Sequence, residues 1–166
     1  MFSDSIIAEF TGAFSAIPAE VAALRLVAAM ILGGMIGWER EMHDKPAGLR
    51  THMMIALAAC LFTLLAFELM ALVTEGDERM RVDPLRLIEA VTAGVAFLAA
   101  GTIITGRGKV HGLTTGAGMW FAGAVGVACG TGRLPLAGLA ALIALVVLWL
   151  MRKLVAALGA SSAPDG

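Results

Sequence analysis

The chain has 166 residues, of which 59% are hydrophobic and 15% charged, and its mean hydropathy is +0.87. That composition excludes an ordinary soluble globular domain and points to the membrane. A net charge of −1 offers no global basic field for nucleic acid, and Cys60 and Cys129 sit in apolar runs without CxxC or CxxH spacing, as packing residues rather than disulfide or zinc partners.

No basic segment followed by a short apolar core opens the chain, so no secretory signal is expected. Residues 1–17 place Phe2, Ile6, Phe10, Phe14 and Ile17 at helical spacing, with Asp4 and Glu9 on other faces. This predicts a short interfacial helix, ended by Pro18. Five apolar stretches of roughly 20 residues follow, each able to cross the hydrocarbon core; they cover 18–38, 52–73, 85–105, 113–131 and 134–151. Residues 18–151 thus read as one all-α transmembrane domain. The Ser, Ala, Pro, Asp and Gly of 152–166 predict a disordered cytoplasmic tail.

Lys and Arg in short loops set orientation. Arg40, Lys45, Arg50, Arg107, Lys109, Arg152 and Lys153 fall on one side of the membrane; Arg79, Arg81, Arg86 and Arg133 fall on the other, the first three among Glu75, Asp77, Glu78 and Asp83. The majority places the N-terminus outside and the C-terminus in the cytoplasm.

Residues 33–51, GGMIGWEREMHDKPAGLRT, form a polar hairpin between two apolar helices. Its K-x-x-G-L-x-T pattern at 45–51 recurs at 109–115, and the shift of 64 residues, from 45 to 109, also sets Gly37 on Gly101 and Arg25 on Glu89. Helix, loop and helix would then recur as a parallel repeat; chance alignment in a Gly-, Ala- and Leu-rich chain is the competing explanation. Gly permits the turn, Thr near a helix start satisfies N–H groups, and the N-termini with Lys45 and Arg50 could hold an anion. The alternative is that these residues only cap helices and enforce topology. The expected cytoplasmic face comprises Glu39, Arg40, Lys45, Gly48, Arg50, Thr51, Lys109, Gly112, Thr114 and Thr115.

Arg25, Glu68 and Glu89 lie inside expected spans at similar depth. An ionisable group there costs about 2.5–3.5 kcal/mol on insertion scales, so it needs a partner or a function. The expected arrangement puts Arg25 between the carboxylates or on Glu89, as an interhelical lock or as part of a proton or cation pathway. Glu39, Glu41 and Asp44, with His43, offer ligands of the kind Mg2+ takes, though a solvated charged loop explains the same residues. Gly101–Arg107 departs from a P-loop in lacking Lys, a following Ser or Thr, and a preceding strand. Gly33-x-x-x-Gly37 and Gly126-x-x-x-Gly130 suit helix contacts within or between protomers. No Ser-His-Asp or Cys-His set can be assigned, so neither an enzyme nor a bound cofactor is expected.

Together, Gly33-x-x-x-Gly37-Trp38-Glu39-Arg40-Glu41, Lys45-Pro46-Ala47-Gly48-Leu49-Arg50-Thr51-His52-Met53, Asp83-Pro84-x-Arg86, the Gly94–Thr102 run and Gly112-Leu113-Thr114-Thr115 resemble the MgtC/SapB family of bacterial inner-membrane proteins. The resemblance runs from about Leu24 to Gly130, with GLRTH and its preceding charges the specific part. It implies a polytopic inner-membrane domain linked to growth at low Mg2+, survival inside host cells and restraint of the rotary ATP synthase. The family was once assigned to Mg2+ transport. Its positions map onto Glu39, Arg40, Lys45, Gly48, Arg50, Thr51, Asp83, Arg86, Gly101, Gly112 and Thr115.

Two departures stand out. Many relatives carry a soluble domain after the last helix, where this chain ends at Gly166, so regulation through such a domain would be absent or supplied by another protein. Glu89 and GVAFLAAG replace the more frequent Gln and GIGFLGAG. The leading expectation is a non-enzymatic membrane regulator that contacts another complex, such as the ATP synthase, in Mg2+ or phosphate stress. The rival is a small oligomeric transporter or channel for Mg2+ or another ion. Lipids, a membrane-protein partner and further copies of the chain are the expected partners.

Overall fold

A computed structural model describes residues 14, 16–74, 83–106 and 109–158. Within them lie five helices and one small hairpin: α1 (Ala19–Glu41), α2 (Leu49–Thr74), α3 (Pro84–Ala100), β1 (Ile104–Gly106), β2 (Lys109–His111), α4 (Leu113–Gly130) and α5 (Leu134–Ala157). Four of the helices, α1, α2, α4 and α5, are long and apolar enough to cross a membrane. α3 has 17 residues, or about 26 Å of helix at the standard rise.

Local chemistry sets the helix ends. The Pro18 carbonyl accepts from the N–H groups of Val21 and Ala22 at 3.0 and 2.9 Å, opening α1. At the other end of α1 the chain turns through Asp44, whose φ of 52° is left-handed, a conformation that Asp tolerates better than bulkier residues. Asp83 caps α3, its Oδ1 accepting from Leu85 N–H at 2.9 Å, and Pro84 fills the first turn, where an N–H would go unused.

Two boundaries differ from the sequence expectation. The third apolar stretch extends to Thr105, but α3 stops at Ala100 and the β-branched Ile104 and Thr105 enter β1. β1 and β2 pair antiparallel, with Ile104 opposite His111 and Gly106 opposite Lys109. At the C-terminal end α5 continues through Ala157, so 152–157 are helical rather than disordered tail; their Leu, Val and Ala content sustains the helix. The expected interfacial helix, the acidic 75–82 loop and residues 159–166 lie outside the described residues, apart from Phe14, Ala16 and Ile17.

α2 is clasped from two sides. A Cβ on Gly33 would stand 2.6 Å from Ala56 Cβ and 2.7 Å from the His52 carbonyl oxygen, and one on Gly37 2.8 Å from Leu49 Cα. Across the helix, a Cβ on Gly126 would overlap the Ala56 carbonyl, and one on Gly130 would stand 2.5 Å from Thr63 Cβ. Both GxxxG patterns therefore serve contacts inside the protomer. α1, α2 and α4 form the centre, around Ala29, Ile36, Ala56, Cys60, Val125 and Cys129. α5 packs against α1 and α4, while α3 packs chiefly against α4 through Val91, Val95, Met119 and Ala122.

α1 starts at 19 and α3 at 84, and α2 starts at 49 and α4 at 113. The 64-residue shift thus carries each helix start onto its counterpart to within one residue. The two connections differ: the first is a turn and the second the β1–β2 hairpin.

Candidate functional site

Polar groups gather where α1 ends and α2 and α4 begin. Arg40, on the last turn of α1, is only 5% exposed. Its Nη2 donates to Thr114 Oγ1 at 3.3 Å and Thr115 Oγ1 at 3.4 Å, on the first turn of α4. Thr115 is fully buried and Thr114 is exposed. Arg40 Nε is buried with no hydrogen-bond partner, and among the described residues no carboxylate lies in salt-bridge range of the guanidinium. Residues 74 and 75 positions apart, at the end of α1 and the start of α4, are thus joined.

His52 stands beside this contact. It is fully buried, and its Nδ1 lies 2.9 Å from the Gly48 carbonyl. A carbonyl only accepts, so Nδ1 carries the proton and Nε2 is left as an acceptor. Nε2 has no partner and faces Gly118, where a Cβ would stand 3.0 Å away. Gly118 lies one turn beyond Thr114 and Thr115 on α4, so Arg40 and His52 rest against the same stretch of that helix.

The acidic residues of the hairpin divide between structural tasks. Glu41 Oε2 accepts from Leu49 N–H at 2.9 Å and closes the start of α2. A Cβ on Gly48 would overlap that carboxylate, which explains glycine there. Glu39 turns instead to α5, with Oε1 3.3 Å from Arg152 Nε and 3.7 Å from His43 Nδ1, while Oε2 is buried without a partner. Arg152 also contacts the His43 ring. Asp44 is exposed at the left-handed turn. Of the three Mg2+ candidates, Glu39 and Glu41 therefore turn to different partners while Asp44 is exposed, and no metal-holding group of His, Cys, Asp or Glu occurs among the described residues.

Of the remaining expected face, Gly48 is buried, Lys45 and Thr51 are half-buried and Arg50 is exposed. Lys45 N–H donates to the Arg40 carbonyl at 3.2 Å. Gly112 precedes α4 with a left-handed φ of 86°, and a Cβ there would overlap the Thr102 carbonyl, so only glycine fits. Lys109 lies in β2, opposite Gly106. Asp83 is the α3 cap, and Arg86 and Gly101 are exposed at the two ends of that helix.

The expected cluster of Arg25, Glu68 and Glu89 does not form. Arg25 Nη1 donates to the Gly130 carbonyl at 2.8 Å, and its guanidinium covers Gly132. The Glu68 carboxylate accepts from the N–H groups of Ala16 and Ile17 at 3.0 to 3.2 Å, tying down the segment before α1. Glu89 is exposed on α3. Because α3 packs on α4, Glu89 is not carried to Arg25, and a helix-end carbonyl and two backbone amides take the places foreseen for ion pairs. Arg152 and the buried His52 are partners that the sequence expectation missed. His52 sits four residues after Gly48, a spacing that puts its ring over that carbonyl; no local signal marks Arg152 as the partner of Glu39.

A model of the MgtC family matches residues 26–157. The chain is 37% identical over 131 residues to the Escherichia coli K12 protein named "Putative magnesium transporter YhiD", a match that covers 79% of this chain and 60% of that protein. It is 37% identical over 130 residues to MgtC of Brucella abortus (78% of this chain, 51% of that one) and 36% identical over 130 residues to MgtC of Salmonella typhimurium (78% and 52%). It spans about half the length of the curated relatives it matches. No solved structure matches it.

Proposed function

Because this chain belongs to the MgtC family, we propose that it is a non-enzymatic inner-membrane regulator in magnesium homeostasis and in adaptation to stress or a host. It acts by helix contact with another membrane complex, the rotary ATP synthase being the partner to test. The magnesium link rests on the names of its relatives. Helices of membrane length and family membership make it a multi-pass membrane protein. The excess of Lys and Arg supports an external N-terminus and a cytoplasmic C-terminus.

The observation that carries the contact reading is a lateral groove of about 770 Å3 between α2 and α3. Its walls are apolar, and Ala58, Ala66, Ala90 and Gly94 keep them shallow. Small residues let a foreign helix approach closely in lipid, where packing rather than water exclusion drives association. α3 leans on α4, so the groove stays open toward the bilayer.

A Cβ placed on Gly94 would meet nothing within 4 Å, and Gly94 lines the groove, so Gly94→Leu projects a side chain into it. Inverted membranes carrying the protein should show reduced ATP-driven proton pumping, and Gly94→Leu should restore it and release the synthase from co-purification. Pumping indifferent to both would sink the proposal. Sealed liposomes containing the purified protein should leave Mg2+ flux unchanged; reproducible flux would favour the transport reading that the name of YhiD suggests.

A further inference from the structure

The two halves of the repeat treat their second helix differently at its start. In the first half Glu41, eight residues before Leu49, places a carboxylate on the N-terminus of α2. In the second half the residue eight before Leu113 is Thr105, and α4 has neither a side-chain cap nor an acidic residue in its first turn. The N-terminal N–H groups of an 18-residue helix carry partial positive charge and seek an anion. What stands over them instead is Arg40, 95% buried by its 5% exposure, with no carboxylate in range among the described residues.

Nε–H and the adjacent Nη2–H of Arg40 form the side-on fork that grips a carboxylate or phosphate with two parallel bonds. Here Nη2 reaches the hydroxyls of Thr114 and Thr115 at 3.3 and 3.4 Å, longer than a charge-assisted bond, and Nε has no partner. A buried cation and a helix N-terminus of the same sign lie together; the neighbouring Glu39 acts on Arg40 electrostatically but lies beyond salt-bridge range of it and pairs with Arg152, so a closer counter-ion would lower the cost. Thr114, exposed at the edge, gives an anion its way in.

We propose that the head of α4 is an oxyanion site. A phosphate-type oxyanion, free or carried on a lipid head group, is held between the Nε–Nη2 edge of Arg40, the hydroxyls of Thr114 and Thr115, and the uncapped N–H groups of the first turn. It supplies in the second half the negative group that Glu41 supplies in the first. The site does not depend on the partner proposed above.

The test uses full-length protein in a neutral, phospholipid-free detergent, titrated with inorganic phosphate against chloride at constant ionic strength. A second arm uses nanodiscs of phosphatidylglycerol or phosphatidylcholine, with lipid retention read by native mass spectrometry. Saturable phosphate binding assigns a free anion, and selective retention of phosphatidylglycerol assigns a lipid source. Arg40→Lys, which keeps the charge and loses the fork, should weaken binding by about tenfold or more. If that variant does not fold, Thr114→Val at the exposed edge should weaken it several-fold. Lys153→Ala, an exposed cation outside the site, should leave it unchanged. Absence of binding in both arms, or equal losses in Lys153→Ala and the site variants, overturns the proposal.

Discussion

Glu41 closes the helix that its own hairpin leads into: its Oε2 accepts the Leu49 N–H at 2.9 Å, across the turn that joins α1 to α2. The carboxylate can seat there because residue 48 has no side chain. Position, turn and cap form one unit, so the two residues should not contribute independently. A cap of this kind is worth about 0.5–2 kcal/mol. Glu41→Ala and Gly48→Ala should each lower stability by about that amount, and the double variant should cost little more than either. The buried thiols of Cys60 and Cys129 give the readout, since a thiol-reactive dye reports their exposure on thermal unfolding. Full additivity would show that Gly48 serves some other purpose.

The glycines divide sharply by what lies opposite them. Gly126 meets the Ala56 carbonyl, whereas Gly138 has open space around it. Gly126→Ala should force α4 off α2 and cost on the order of 2 kcal/mol or more. Gly138→Ala should be neutral or stabilise α5 by up to about 1 kcal/mol, from helix propensity alone. Equal melting temperatures for the two variants would contradict a close seam between α2 and α4.

Arg25 and Glu89 should behave as strangers. Arg25→Met strands the Gly130 carbonyl and should cost about 1–3 kcal/mol. Glu89→Gln, on the outward face of α3, breaks no contact with Arg25 and should not lower stability. A double-variant cycle measures their coupling; a coupling well above zero would restore the ion-pair lock between α1 and α3.

Removing either end of the Glu39–Arg152 pair should not be equivalent. The Glu39 side chain is 11% exposed with a buried oxygen, while the Arg152 side chain is 40% exposed. Arg152→Gln leaves an unpaired carboxylate in the seam between α1 and α5, whereas Glu39→Gln removes the buried charge itself. The first should therefore lower the melting temperature more than the second, and adding Glu39→Gln to Arg152→Gln should recover part of the loss. The opposite order would mean that Arg152 acts through its contact with His43.

The sequence by itself determined the class, the helices and the hinge between them. Apolar length over 19–41, 49–71, 113–130 and 134–157 leaves no other economical structure in lipid, because helices satisfy their own backbone groups. The recurring G-L-x-T marks the starts of α2 and α4 without any knowledge of packing, since glycine at the turn is a local requirement. It also brought Arg40, Thr114 and Thr115 onto one expected face, and these do meet.

Only the tertiary structure decided which partner each charge takes. Depth in the membrane grouped Arg25, Glu68 and Glu89, but depth fixes one coordinate, and the rotation and packing of α3 send Glu89 outward while backbone groups claim the other two. Proximity in sequence likewise grouped Glu39, Glu41 and Asp44, although one helical residue turns to α5 and another to α2. Local propensity acts along the chain, and hydrogen bonding in a packed bundle is settled by whichever donor the neighbouring helix presents.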